Sequence, residues 1–106
     1  MLQPDKTSFY QDVYSVVKEI PRGKVISYGE IARLIGWGKY SRMVGKAMSQ
    51  VPAALKLSCH RVVNSSGRTV PGWEEHRILL EKEGVLFRAN GCVDMKKCGW
   101  KWEEDL

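Results

Sequence analysis

Apolar residues near the start of the chain recur three and four apart. Phe9, Val13, Val16, Val17 and Ile20 fall on one face of a helical wheel. The spacing predicts an amphipathic helix over Thr7 to Ile20, capped by Ser8 with Gln11 three residues on, and stopped by Pro21-Arg22-Gly23. A short apolar lead-in, Val25-Ile26, then meets Ser27-Tyr28-Gly29-Glu30, a second capping box. The helix behind it turns Ile31, Leu34 and Ile35 inward and stops near Gly36-Trp37-Gly38. A third helix runs from Ser41 until Val51-Pro52 ends it, since proline disfavours helical geometry in the residue before it. Two short helices joined through glycine have the sequence form of a helix-turn-helix. A last helix opens at Pro71-Gly72-Trp73, with Ile78, Leu79 and Leu80 apolar, and Gly84 closes it. The tail from Val85 to Trp102 reads as a short hairpin, with Trp100 and Trp102 alternating with lysines like a strand or packing edge.

Two positions in this pattern are anomalous. Gly45 interrupts the third helix at a cost of about 1 kcal/mol relative to alanine. With Ser41, Ala47 and Ser49 it leaves that helix poor in side chains apart from Arg42 and Lys46. Close helix packing accounts for this, and so does close approach to a phosphate backbone flanked by two cations. Glu83 stands at the end of the last helix, where the helix dipole disfavours a carboxylate. An ordinary solvated glutamate explains it, as does one held for chemistry.

Composition narrows the class. At 106 residues, with 43% hydrophobic and 27% charged, residues 1–106 make one small domain with a buried core. A net charge of +5 points toward an anionic partner such as nucleic acid. Three cysteines, an odd number, argue against a disulfide framework and for a reducing compartment. No apolar run approaches the roughly 20 residues that span a bilayer, and the first residues lack the build of a signal peptide. The expectation is a soluble monomer in the cytoplasm, or the nucleus of a eukaryotic cell, with no membrane partner. Cys92 and Cys98 read as inert, and with His60 and His76 they do not match zinc spacing, so neither metal nor cofactor is expected.

The chemistry concentrates in Ser58-Cys59-His60-Arg61-Val62-Val63, which runs into the turn Asn64-Ser65-Ser66-Gly67. A cysteine of ordinary pKa is only a few per cent thiolate at neutral pH, and an imidazole can take its proton. On an extended strand Cys59 and His60 point to opposite faces, so they cooperate only where the backbone bends between them. Alone, Cys59 also reads as one more buried thiol.

Four segments in order resemble the DNA-binding domain of the O6-alkylguanine-DNA alkyltransferases: Ile20-Pro21-Arg22-Gly23-Lys24-Val25 to Ser27-Tyr28, Arg42-x-Val44-Gly45-x-Ala47-Met48, Cys59-His60-Arg61-Val62 and Leu80-x-x-Glu83-Gly84. The resemblance covers roughly Thr7 to Val85. It implies a mainly α fold, a small helical domain with a winged helix-turn-helix-like DNA-binding unit and a short C-terminal β-hairpin. It also implies binding in the minor groove of double-stranded DNA, with the alkylated guanine flipped out of the duplex. On that resemblance Cys59 would accept the alkyl group, His60 would activate it through a water, and Glu83 would hold His60. Arg42 would fill the hole left by the base and Tyr28 would press on the phosphate, with Ser41, Gly45, Lys46 and Ser65 also at the DNA. Tyr28 shares a helical face with Ile31 and Ile35, so packing is the other account of it.

The chain departs from the catalytic pattern in several places. Ser58 replaces the proline before the cysteine, Val51 replaces a bracing asparagine, and the loop from Gly67 to Trp73 is shorter, without the tyrosine and paired glycines that help cover the guanine. Size and the tail Val93-Asp94-Met95…Trp100 are more similar to the alkyltransferase-like proteins, which bind alkylated DNA without repairing it and pass it to nucleotide excision repair proteins. Three readings follow: a single-turnover alkyl acceptor, placed first because Cys59, His60 and Glu83 are all present; a non-catalytic lesion sensor; and a DNA-binding regulator.

Overall fold

A computed structural model describes residues 2–105. Helix α1 (Lys6–Glu19) buries Phe9, Val13, Val16 and Val17, the face the spacing predicted. Its cap is Asp5 rather than Ser8: the Asp5 carboxylate accepts the Ser8 backbone N–H at 3.0 Å, which places Ser8 inside the first turn. An ionised cap also suits the positive end of the helix dipole.

Strand β1 (Ile26–Ser27) leads directly into α2 (Tyr28–Leu34), where the Ser27 hydroxyl accepts the Glu30 N–H at 3.1 Å. Helix α3 (Ser41–Ser49) packs on α2 and turns Val44 and Ala47 into the core. These helices form the crossover that parallel pairing requires, and β1 pairs with β2 (Val62–Val63) in the register Ile26 to Val62 and Ser27 to Val63. A larger core joins α1, α2, α3 and both strands. A smaller one joins Val25, Val63, Leu80, Val85, Val93 and Cys98 beneath α4 (Glu75–Lys82).

Helix α4 starts later than Pro71, and only part of its apolar run faces inward. His76 and Leu80, four residues apart, are fully buried, whereas Ile78 is 51% exposed. Ile78 lies about 160° around the helix from that pair, so it cannot share their face.

The tail also differs from the expected hairpin. That hairpin is a single antiparallel bridge, Phe87 to Val93, closed by the Arg88 N–H donating to the Cys92 carbonyl at 2.7 Å. Asp94 then caps a short helix, α5 (Met95–Cys98), which ends the pairing. Gly99 bridges Val25 in parallel, and Trp102 begins a 3-10 turn whose indole N–H donates to Glu30 at 3.2 Å. Trp100 packs against the larger core. No described helix is long and apolar enough to cross a membrane.

Candidate functional site

The backbone bends where cooperation between Cys59 and His60 requires it. The Cys59 N–H donates to the Leu57 carbonyl at 2.9 Å across Ser58, whose φ of −81° and ψ of 67° describe an inverse γ-turn. A 3-10 turn over Cys59–Arg61 follows immediately. Ser58 thus holds a φ close to the one proline enforces, so a serine here preserves the shape of the turn. The turn sends Cys59 and His60 to different neighbours.

His60 meets Glu83. Its Nε2 lies 2.7 Å from Glu83 Oε2. Arg61 donates to the same carboxylate through Nε at 3.0 Å and Nη2 at 2.9 Å, while its Nη1 holds the Ile20 carbonyl at 2.8 Å. The Gly23 N–H donates to Glu83 Oε1 at 3.0 Å. Gly23 adopts φ +83°, and a Cβ there would come within 3.1 Å of the Glu83 carbonyl, so glycine suits both the turn and the approach. Burial by itself would push the Glu83 carboxyl pKa up; the bonds from Arg61, His60 and Gly23 win and hold it at about 2. Glu83 is therefore ionised at neutral pH and accepts a hydrogen bond from the His60 Nε2–H, which leaves the lone pair of the neutral ring on Nδ1. A carboxylate at a helix end, which the sequence left with two explanations, is here held by three partners.

Cys59 borders a cavity of about 260 Å³. Tyr28 from the start of α2, Gly45, Met48 and Ser49 from α3, Val62 from β2, and Val70 and Trp73 from the following loop complete the wall. Burial pushes the Cys59 thiol pKa above its ordinary value, against a smaller opposing pull from its own backbone N–H. The thiol is thus protonated at neutral pH and reacts only after a base takes its proton.

Of the remaining predicted residues, Tyr28 lies on the cavity wall and also packs on the larger core, as its shared helical face with Ile31 suggested; burial raises its pKa. Ser41, Arg42 and Lys46 line an adjoining surface hollow with Lys39, Tyr40 and Met43. On α3 the positions 42, 45, 46 and 49 share one stripe beside the cavity, opposite buried Val44 and Ala47. Ser65 sits apart, on an exposed turn in which Asn64 Oδ1 accepts the N–H groups of Ser66 and Arg68. Among the described residues no group of three or more His, Cys, Asp or Glu side chains has the arrangement of a metal site.

Gly45 separates its two explanations. A Cβ built on it would meet nothing within 4 Å, so packing inside the chain does not require glycine. Gly45→Ala is expected to raise stability by about 0.5–1 kcal/mol, the helix-propensity gain, while weakening binding of lesion-containing duplex. Thermal denaturation beside a duplex titration checks this. A gain in stability with unchanged binding would remove any requirement for a bare helix surface.

Three participants were not legible in the sequence. Arg61 stood in the motif without a role, and Gly23 read only as a breaker. His76, fully buried, accepts the Val70 N–H on Nδ1 at 3.0 Å and donates from Nε2 to the His60 carbonyl at 2.7 Å. It therefore braces the turn that carries the cysteine. Burial pushes its pKa below the ordinary 6.5. Its four-residue spacing from Leu80 was the available signal for an inward-facing side chain.

Comparison with known proteins gives a consistent set. Residues 8–85 match the model of the 6-O-methylguanine DNA methyltransferase DNA-binding domain. The chain is 36% identical to the DNA base-flipping protein of Vibrio parahaemolyticus, over 88% of this chain and 96% of that protein. It is 41% identical to the methylated-DNA–protein-cysteine methyltransferase of Methanosarcina acetivorans, over 78% of this chain but 55% of that protein. Its fold superposes with a TM-score of 0.78, at 35% identity, on S. pombe Atl1 solved in complex with damaged DNA containing O6-carboxymethylguanine, over 95% of this chain and 99% of that one.

Proposed function

The chain belongs to the 6-O-methylguanine DNA methyltransferase family through its DNA-binding domain, and on that premise we propose that it binds alkylated DNA, turns the lesion into the Cys59 cavity and takes the alkyl group onto sulfur. One observation carries this reading: Cys59 borders the cavity while His60, the next residue, is held 2.7 Å from an ionised Glu83. His60 Nδ1 takes the thiol proton, directly or through a water. The sulfur electron pair then forms a bond to the alkyl carbon as that carbon's bond to guanine O6 breaks, and the electron pair and a proton end on the base. The thioether so formed is not reopened by any group in this mechanism, so each molecule acts once.

The stripe on α3 supports the DNA-binding part of the reading. Arg42 replaces the flipped base in the stack, Ser41 and Lys46 hold phosphates, the bare surface at Gly45 admits the backbone, and Tyr28 presses on the rotating phosphate. Ser65 contacts DNA from its separate turn. The protein acts as a monomer, in the cytoplasm or in a nucleus.

A second reading rests on the likeness in fold to Atl1, which was solved in complex with damaged DNA containing O6-carboxymethylguanine. The chain spans about half of the methyltransferase from Methanosarcina acetivorans. In that reading it is a sensor that holds the lesion and passes it to nucleotide excision repair proteins. Intact-mass measurement after incubation with O6-methylguanine duplex decides between the two. A gain of one methyl group, mapped to Cys59 and missing in Cys59→Ala, supports transfer. Cys59→Ala should still prefer the alkylated duplex, because shape and stacking hold a flipped base without a thiol. An unmodified protein that prefers the lesion is the sensor. Loss of the preference in a folded Cys59→Ala would make Cys59 a packing residue.

A further inference from the structure

Trp73 has no part in the chemistry above, yet its ring on the cavity wall is held on both sides of its attachment, by a turn and by a stacked imidazole. It closes the turn Val70-Pro71-Gly72-Trp73, with its N–H donating to the Val70 carbonyl at 3.2 Å and Gly72 at φ +84°. Proline second and a left-handed glycine third are what a type II turn requires. The indole stacks on His76, with ring centroids 4.5 Å apart and 26° between the planes. That imidazole is fully buried and bonded at both nitrogens, to the Val70 N–H and the His60 carbonyl, so it does not swing away and the indole resting on it is held in place. The same two bonds tie the aromatic wall to the turn that presents Cys59.

The rest of the wall offers little that can stack. Gly45, Met48, Ser49, Val62 and Val70 are small or aliphatic, and Tyr28 is packed on the larger core. A purine drawn out of a duplex loses its stacking neighbours and gains most from a flat ring fixed beforehand. We propose that Trp73 is a specificity-determining residue of this site, stacking on the flipped alkylated purine and supplying the discrimination between lesion-containing and intact DNA. Nothing in this role depends on alkyl transfer, so it applies whether Cys59 reacts or only lines the pocket; it does rest on the base-flipping reading.

The test titrates the full chain, Trp73→Ala and Trp73→Phe on duplexes containing O6-methylguanine, unmodified guanine or an abasic site. Trp73→Ala is expected to bind the O6-methylguanine duplex roughly 10-fold more weakly and the other two unchanged, and Trp73→Phe to restore most of the loss. Tryptophan emission gives a second measurement that does not need the alanine variant to fold. It should be quenched when the wild-type chain binds the lesion duplex, and that quenching should be missing in Trp73→Phe although binding persists. Equal losses on all three duplexes, a lesion preference left intact by Trp73→Ala, or quenching retained in Trp73→Phe would each overturn the inference alone. A wild-type chain with no lesion preference would overturn the base-flipping reading together with it.

Discussion

Glu83→Gln should cost about 3–5 kcal/mol of folding stability, because it leaves the Arg61 guanidinium, 15% exposed, without its charge partner. The amide keeps the shape of the carboxylate but removes its charge and turns one of its two accepting oxygens into a donor facing N–H groups, so the loss measures these two changes rather than a cavity. Urea unfolding at neutral pH should show a lower midpoint with an unchanged slope. The same residue predicts an acid limb. Its carboxyl pKa is depressed from the ordinary 4.5 to about 2, so its contribution is fully present above about pH 4.5 and is lost as pH falls from there toward 2. The shift corresponds to roughly 3 kcal/mol at most, and Glu83→Gln should flatten this limb. The buried His76 produces a separate and earlier loss. Its depressed pKa means the unfolded chain binds the proton more readily, so stability declines as pH falls below 6.5 in wild type and variant alike. An undiminished limb between pH 4.5 and 2 in Glu83→Gln would assign it to other carboxylates.

His60→Ala should slow alkyl transfer by about 10²- to 10⁴-fold, the usual loss on removing a positioned general base. The reason lies in the thiol. Burial holds Cys59 in its protonated form, so without His60 the proton must pass to solvent. The residual rate should therefore climb steadily with pH, because hydroxide substitutes for the imidazole. Binding of the alkylated duplex should barely change, since His60 is directed at Glu83 rather than among the side chains that line the cavity. Glu83 keeps Arg61 and Gly23 in the variant and so remains ionised. Single-turnover transfer measured across a pH series, beside a duplex titration, separates these effects. Transfer as fast as in the wild type would leave His60 only a bracing role in the turn.

The helices were largely legible before the structure because their causes are local. The apolar period of α1 and the Ser27 cap of α2 act over three or four residues, and the structure places both elements within a residue or two of the expectation. Where local signals misled, a competing local group won. Asp5 outcompeted Ser8 as a cap, and Asp94 starts a short helix that limits the expected short hairpin to one bridge. In α4, of the apolar run Ile78, Leu79 and Leu80 only Leu80 is buried, and the polar His76 joins it on the inward face.

The candidate site divides the same way. Cys59 and His60 are adjacent, so the sequence by itself determined that a thiol and an imidazole would be neighbours, and its apolar periods determined which helical faces would be buried. Only the tertiary structure decided that the two side chains go to different places, because that depends on the γ-turn at Ser58 followed by the 3-10 turn. Arg61 reaches Glu83 across 22 positions and Gly23 reaches it across 60. Contacts at such separations leave no periodic trace in the chain, because they form only once parallel pairing of β1 with β2 and the packing of α4 bring distant segments together. The energy that holds Glu83 ionised comes from desolvated donors meeting in one place, and that meeting is a property of the fold.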